Sequence, residues 1–299
     1  MNFEFLKHRK IYYIISSILV LASIGFLVVF GIVPGIEFAG GSVLEVEYEE
    51  RPSMEKIYED LRGVGIREAD VQPVGEEGLL IRTERTDDEV YEEVMGALEG
   101  AESRDFESIG AQVGDELKTM SLVAIILASL LVIIYIAVSF RDDDGSISSG
   151  KYGIIATGVA FLHDMLIVLG IFSVLGYLYG VQVTIPIAVA LLTTLGYSIN
   201  DTVVIFDRIR ENLINRKERN EKVDLKEVVN NSLNETFGRS VGTSLTTLFI
   251  LLSLLILGGA TIFYFILALI FGIILGMYSS IFLAGPLVLD WNSLTKKEK

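Results

Sequence analysis

The sequence contains no cysteine and only two histidines, His8 and His163. Without cysteine, the chain has no disulfide, no thiolate nucleophile and no thiolate metal site. So few histidines make a metal site improbable. The soluble part of the sequence also lacks a glycine-rich strand-to-helix loop of the kind that cradles phosphate. We therefore expect no cofactor, no metal and no catalytic residue, and predict that the protein is not an enzyme.

Charged residues are missing from four long runs of the sequence. With 51% hydrophobic residues and a mean hydropathy of +0.53, the chain is not an ordinary soluble protein. The four runs are Ile11–Ile36, Thr119–Phe140, Met165–Asn200 and Ser240–Leu289. The last two are too long for one helix each, and glycine-containing breaks divide them. The sequence thus predicts six membrane spans, at 11–33, 119–140, 152–177, 183–207, 238–258 and 262–287.

The distribution of lysine and arginine predicts the orientation in the membrane. Lys7, Arg9 and Lys10 precede the first span, and more basic residues follow the fourth, in the loop 208–237. Because cytoplasmic flanks carry the excess of basic residues, we expect both termini, within 1–33 and 288–299, to be cytoplasmic. The first span has no small-x-small cleavage site, and we interpret it as an uncleaved anchor in the cell membrane.

Almost all of the acidity lies in one segment, 34–118, which the same orientation makes extracytoplasmic. It holds 24 Asp and Glu against 8 Lys and Arg, a net charge of −16, whereas the formal charge of the whole chain is −15. A domain of this charge repels nucleic acid and attracts basic, unfolded polypeptide through long-range fields. The alternative is a solvated face that serves only solubility.

The patterns within 34–118 alternate between strands and helices. Ser42–Tyr48 alternates apolar and charged residues as a half-buried strand does, and a helix opens at Ser53. Two strands, 70–74 and 79–82, flank a glycine turn, and a second helix and a last strand, 104–109, follow. The order βαββαβ predicts a small α+β, ferredoxin-like domain beside a membrane α-helical bundle.

One acidic residue, Asp201, lies inside the fourth span. No charge precedes it between Met165 and Asn200. If the helix reaches the boundary near Asp207, the carboxyl group is about 9 Å inside the membrane. Such a residue is costly and marks ion pathways. The alternative is a structural carboxylate that is hydrogen-bonded to Ser198, Asn200 or Thr243.

Two further features of the membrane region have two interpretations each. His163 and Asp164 fall near the middle of the third span, as a secondary proton relay or as a mutually satisfied packing pair. The segment 223–237 has an apolar stripe at helical spacing, which predicts an amphipathic helix at the membrane interface or a docking helix for a cytoplasmic partner.

Small and hydroxylated residues later in the chain favour close helix packing in lipid, namely Ser244, Thr246, Thr247, Gly272 and Gly276.

Several segments together resemble the SecF family, the smaller half of the SecDF protein-export membrane complex. The most specific part is Ser198–Asn212, within the segment that begins at Tyr197 and ends Phe-Asp-Arg-Ile-Arg-Glu-Asn. The others, in chain order, are Gly35–Gly41, Ile109–Leu117, Phe161–Ile167, Arg239–Thr247 and Gly276–Phe282. The first departs from the family pattern, because Glu37 and Ala39 stand where members often have Asp and Thr.

The resemblance implies half of an RND (resistance-nodulation-division) transporter that pairs with SecD beside a SecYE-type channel. Such a complex uses the ion gradient to draw a translocating polypeptide across the lipid bilayer. The family pattern makes Asp201 the ion-coupling carboxylate, with Arg239 and Thr243 facing it from the fifth span. Burial favours the neutral carboxyl group and a nearby arginine the ionised one. Taken alone, Arg239 could instead snorkel to the membrane interface.

Three questions stay open at the level of sequence. Carboxylates and hydroxyls serve both H⁺ and Na⁺, so the coupling ion is undetermined. A half-transporter of lipids or small hydrophobic compounds would show the same six spans, and so would a gradient-independent scaffold. The absence of cysteine and the wealth of charged residues suit an archaeal or thermophilic source.

Overall fold

The computed structural model describes residues 3–66, 69–75, 77–87, 89–139, 149–221, 223–259 and 262–290. It divides the chain into two compact units. One is helical and contains residues up to Gly31, Ile125–Val174 and the chain from Pro186 onward. The other contains Ile32–Ala124 and Leu175–Ile185. Parts of several predictions lie outside the described residues. They are the tail beyond Asp290, the end of the second span at Phe140, Glu76 in the predicted glycine turn, and Asp88 in the first turn of the predicted second helix.

Long apolar helices make up most of the chain. After a 3₁₀ turn at Phe5–Lys7, they are α1 (Arg9–Phe30), α5 (Ala111–Ser139), α6 (Ser149–Tyr179), α7 (Ile185–Glu218), α8 (Leu225–Leu257) and α9 (Phe263–Ser279). A π-helical segment, Ser280–Ala284, continues α9, and the helix then extends to Asp290. Among the described residues, six helices are long and apolar enough to cross a membrane. The number of spans agrees with the prediction.

The second unit contains a four-stranded antiparallel sheet with two helices. Its elements are a short helical turn α2 (Ile36–Ala39), β1 (Gly41–Tyr48), α3 (Met54–Gly63), β2 (Asp70–Val74), β3 (Gly78–Thr83), α4 (Glu89–Ala97) and β4 (Ala101–Ile109). The strand order is β2-β3-β1-β4, and every pairing is antiparallel. This is the sheet of a ferredoxin-like βαββαβ domain, so the predicted fold class is confirmed.

Alternating burial explains why these residues form this sheet. Along β1, Leu44, Val46 and Tyr48 are buried while the glutamates between them are half-exposed. The buried residues pack on apolar residues of α3 and α4, such as Ile57 and Val94. Ser53 caps α3 by accepting a hydrogen bond from the backbone N–H of Lys56. Each fully buried side chain contributes about 1.5–3 kcal/mol, which supplies a core without disulfides.

The structure corrects the prediction of a separate amphipathic helix in the loop 208–237. The helix α7 continues to Glu218, and α8 begins at Leu225 and runs without a break into the fifth span. The apolar stripe of its first turns is buried in the protein, in a cluster that also contains Phe5, Leu6, Ile205, Ile209, Leu213 and Ile281. The stripe therefore packs against other helices and not against lipid headgroups.

Candidate functional site

Asp201 lies on the buried face of α7. It is 3% exposed, and its neighbours on this face, Ser198, Thr202 and Ile205, are buried as well. Its atom Oδ2 is buried and has no hydrogen-bond partner. No hydrogen bond to Ser198 or Asn200 was found in the part of the chain that the structure describes. This oxygen therefore forms none of the hydrogen bonds that the structural alternative expects within the described residues.

Two residues of α8 act on the Asp201 carboxyl group. The hydroxyl of Ser240 lies near the carboxyl group without forming a hydrogen bond to it, and Arg239 acts at longer range, through its charge. Ser240 is fully buried, whereas Arg239 is exposed. Within the described residues, no ion pair joins Arg239 to Asp201. Arg239 is thus an electrostatic neighbour of the acid and not its contact partner.

Thr243 is not brought to the carboxyl group. It is exposed, and its hydroxyl donates to the backbone oxygens of Arg239 and Ser240, both at 3.0 Å. Sequence reasoning missed Ser240 in its place. A threonine that bonds to the preceding turn of its own helix has its donor satisfied locally, so it does not need another partner.

The buried side of α8 carries a row of hydroxyl groups, of which sequence reasoning had named only Ser244, for close helix packing. Ser232, Thr236, Ser240 and Ser244 follow one another at intervals of four residues, and all are buried. The first two donate to backbone oxygens one turn earlier, at 2.9 and 2.8 Å. The hydroxyls of Ser240 and Ser244 have no partner. A four-residue spacing places side chains on one helix face, so the pattern was visible in the sequence.

A second polar centre is built around Asp164 of α6. Its Oδ2 accepts hydrogen bonds from Ser198 of α7 and from Ser279 of α9, each at 2.8 Å. Its Oδ1 lies 2.8 Å from Nδ1 of His163. Asp164 is 7% exposed and His163 4%. The carboxyl group thus joins three helices, and both of its serine partners were unforeseen.

The surroundings of this centre are tightly packed. The ring of His163 stacks on Tyr278, with centroids 5.9 Å apart, and its Nε2 is buried without a partner. Ser280, at the start of the π-helical segment, donates to the backbone oxygen of Ser198 at 3.0 Å and lies 2.8 Å from the hydroxyl of Thr202. A cavity of about 10 Å³ beside Asp164 has room for about one water molecule.

Gly272 and Gly276 of α9, which were predicted to favour close helix packing, lie against α7. A Cβ atom on Gly276 would lie 2.8 Å from Cβ of Ser198, and one on Gly272 would overlap the side chain of Thr194. These two glycines therefore let α9 approach α7 closely enough for the Asp164 hydrogen bonds to form. Among the described residues, no group of three or more His, Asp or Glu side chains is placed to hold a metal ion.

Two family models match this chain. Residues 90–294 match the C-terminal region of the protein-export membrane proteins SecD and SecF, and residues 25–50 match the SecD/SecF GG motif. Among curated relatives, the protein translocase subunit SecF of Thermobaculum terrenum is 36% identical over 97% of this chain and 94% of its own length. That of Vibrio alginolyticus is 35% identical over 95% of this chain and 88% of its own.

Solved structures show the same likeness. A crystal structure of SecDF from Thermus thermophilus, described as a translocon-associated membrane protein, superposes with a TM-score of 0.84 at 33% identity. It aligns with 98% of this chain, which spans only 39% of that longer one. A SecDF crystal structure in a super-membrane-facing form gives a TM-score of 0.70 at 31% identity. The chain belongs to the SecD/SecF family of protein-export membrane proteins, as a relative of the SecF subunits.

Proposed function

We propose that the protein is an accessory, non-catalytic subunit of Sec-dependent protein export that works with a SecD partner. In this proposal it uses the proton or sodium gradient to promote late translocation of polypeptides through a SecYE-type channel. The SecF relatives and the SecDF structures support the export role. Asp201, with Ser240 and Arg239, is the ion-coupling site.

The observation that carries this proposal is the unpartnered carboxyl oxygen of Asp201. A buried polar atom without a partner costs about 1–3 kcal/mol, so a residue kept there without structural benefit indicates function. The free hydroxyls of Ser240 and Ser244 lie on the helix that faces it. Together these atoms provide acceptors and donors through which a proton or a hydrated cation reaches the acid.

The energy available from the gradient is adequate for this role. One elementary charge that crosses 100 mV releases about 2.3 kcal/mol. Conformational states that differ by a few kcal/mol change their populations with an input of this size. Neutralising Asp201 also removes its attraction to Arg239, and this frees α7 and α8 to move relative to one another.

The exposed residues beside the site fit a protein partner better than lipid. Asn200, Arg239, Gly242, Thr243 and Thr246 are all exposed on the spans α7 and α8. Polar groups at membrane depth face another protein or a water-filled cavity, because lipid gives them no hydrogen bonds. We propose that SecD covers this face and that Thr243 contributes to the ion path only in that assembly.

We also propose the predicted topology, with both termini cytoplasmic and the α+β domain outside. The even number of candidate spans among the described residues, and the basic residues at the start of α1 and the end of α7, support it.

We propose that Asp164 has a structural role in holding α6, α7 and α9 together, because both of its carboxyl oxygens have hydrogen-bond partners. These partners are His163, Ser198 and Ser279. We call this the bracing role. The competing interpretation, a secondary relay through His163 and Asp164, is separated from bracing by the stability measurements described in the Discussion.

The deciding experiment compares Asp201→Asn with Asp207→Asn, an exposed acid six residues further along α7. Export of a secreted reporter is measured in cells that lack the native protein, at equal membrane abundance of each variant. Asp201→Asn should abolish the export gain while the complex with SecD stays intact, and Asp207→Asn should not. Full export with Asp201→Asn would favour a passive scaffold. Transport of lipids without any export defect would favour another RND-type transporter.

A further inference from the structure

We propose that Glu37 is a positioning residue that fastens the start of α7 to α2, the helical turn that leads into β1 of the α+β domain. The contact would pass movements of the helix that carries Asp201 on to that domain. This second part rests on the proposed function, whereas the contact itself does not. Every contact described below lies within the unit that contains Ile32–Ala124 and Leu175–Ile185.

A short backbone ladder joins the chain after α1 to the chain before α7. The backbone N–H of Val183 donates to the oxygen of Val33 at 2.8 Å, and the N–H of Gly35 donates to the oxygen of Val183 at 2.8 Å. Pro34 and Val183 form a parallel bridge between them. The two segments thus lie side by side as neighbouring strands do, and the bridge at Val183 is two residues before α7 begins at Ile185.

The side chain of Glu37 completes this junction. Backbone N–H groups of Glu37 itself and of Ile185, the first residue of α7, face its carboxylate. The first N–H groups of a helix have no partner inside the helix, so a carboxylate there acts as a cap and complements the helix dipole. The other oxygen, Oε2, is buried without a partner. Burial raises the pKa of Glu37, and Glu107 adds to this while Arg82 opposes it.

Gly35 makes the close approach of Glu37 possible. A Cβ atom at this position would overlap Oε2 of Glu37 and would lie 2.9 Å from Cγ2 of Thr184. Any larger residue would therefore displace the carboxylate from the start of α7. The glycine is required by contact and not by backbone conformation, since no positive φ is found there.

A second contact ties the same loop to the sheet. Gln72 of β2 donates from Nε2 to the backbone oxygen of Gly180 at 3.0 Å. Gly180 has a φ of +64° and lies against the Gln72 side chain, so a Cβ atom there would be strained and would overlap the amide. Gln72 and Glu37 thus hold the loop between α6 and α7 at two separate points.

The same helix, α7, contains both Ile185 at the junction and the buried Asp201. Asp201 follows Ile185 by 16 residues of one uninterrupted helix, which is about 24 Å along its axis. Because the helix is uninterrupted between the two residues, an axial shift near Asp201 would also shift its first turn. Because Glu37 contacts Ile185 at that turn, the shift would reach α2, which leads into β1.

The contact is tested by a distance measurement in the full chain, reconstituted with its SecD partner in liposomes. Because the native chain has no cysteine, spin labels can be attached at Lys56→Cys and Tyr179→Cys without other changes. Both positions are exposed, one on α3 and one at the end of α6, next to the loop. Double electron–electron resonance should give one narrow distance distribution for the labelled chain with native Glu37. The Glu37→Gln variant keeps an acceptor oxygen and should give the same narrow distribution. It should broaden for Glu37→Ala and for Gln72→Ala, and stay narrow for the surface control Glu59→Ala.

Export by the same variants tests the transmission. At equal abundance, Glu37→Ala should lose export to the level of Asp201→Asn, and Glu37→Gln should retain it. An unchanged distance distribution in both Glu37→Ala and Gln72→Ala would overturn the contact. Broadening without any loss of export would overturn the transmission and leave the role of Asp201 intact. If Asp201→Asn exports normally while the distances behave as expected, the proposed function fails and the positioning role of Glu37 stands.

Discussion

Removing the carboxyl group from Asp164 and from Asp201 should have opposite consequences for stability and for export. Both residues are buried in membrane helices, at 7% and 3% exposure, so alanine leaves a similar cavity at each. They differ in their partners. The Asp164 carboxyl group contacts His163, Ser198 and Ser279, whereas Oδ2 of Asp201 has no partner. The same substitution therefore isolates the contribution of these contacts.

The expected difference follows from the energy of hydrogen bonds inside membranes. Each contributes about 0.6 kcal/mol on average and at most about 1.7 kcal/mol, so three give about 2–5 kcal/mol. Asp164→Ala should lower the free energy of unfolding by this amount more than Asp201→Ala does. At about 2 °C per kcal/mol, the melting temperatures should differ by on the order of 4–10 °C. Asp201→Ala should stay within about 1 kcal/mol of the native chain, since its removal also relieves an unsatisfied buried oxygen.

The assay is unfolding of the purified proteins in mixed micelles of mild detergent and SDS, followed by circular dichroism. Single variants Ser198→Ala and Ser279→Ala should each show about a third of the Asp164→Ala effect. Export in cells completes the comparison, because Asp201→Ala should abolish it at normal abundance. Equal destabilisation by Asp164→Ala and Asp201→Ala would refute the reasoning, since it would mean that the contacts of Asp164 add nothing. Normal stability of Asp164→Ala together with lost export would favour the relay interpretation.

Two further predictions concern helix packing and pH. Gly276→Ala should destabilise the protein by about 1–3 kcal/mol, because its Cβ would press on Ser198, whereas Gly25→Ala, with open space around it, should not; thermal unfolding compares them. Burial raises the pKa of Glu37 in the folded chain, so the native state binds this proton more tightly than the unfolded state. Its contribution to stability is therefore most favourable below about pH 4.5 and falls as the pH rises towards the raised value. The stability of Glu37→Gln relative to the native chain should increase over that range, and a flat difference in pH-dependent unfolding would contradict the assignment.

The α+β domain shows how far sequence patterns lead. Its strands and helices could be predicted because one face of each element is buried and the other is exposed to solvent. Apolar residues therefore recur at the period of the local structure. Val90, Val94 and Leu98 recur at intervals of four residues along the second helical pattern, and all three are buried. Local periodicity cannot distinguish burial by lipid from burial by protein, and the start of α8 shows this. Val228, Val229 and Leu233 form a stripe that would suit the membrane interface, yet they pack against α7 and the N-terminal turn.

The sequence by itself determined which residues leave water and in what order. Long uncharged runs cannot remain in solvent, so the six spans, the acidic α+β domain and the unusual depth of Asp201 were all contained in it. Only the tertiary structure decided which polar groups meet. Ser240 and not Thr243 lies at the Asp201 carboxyl group, and the serines that satisfy Asp164 come from helices 34 and 115 residues further along the chain. The physical reason is that a helix fixes the direction of its own side chains, whereas the partner across an interface depends on how closely and at what register two helices pack.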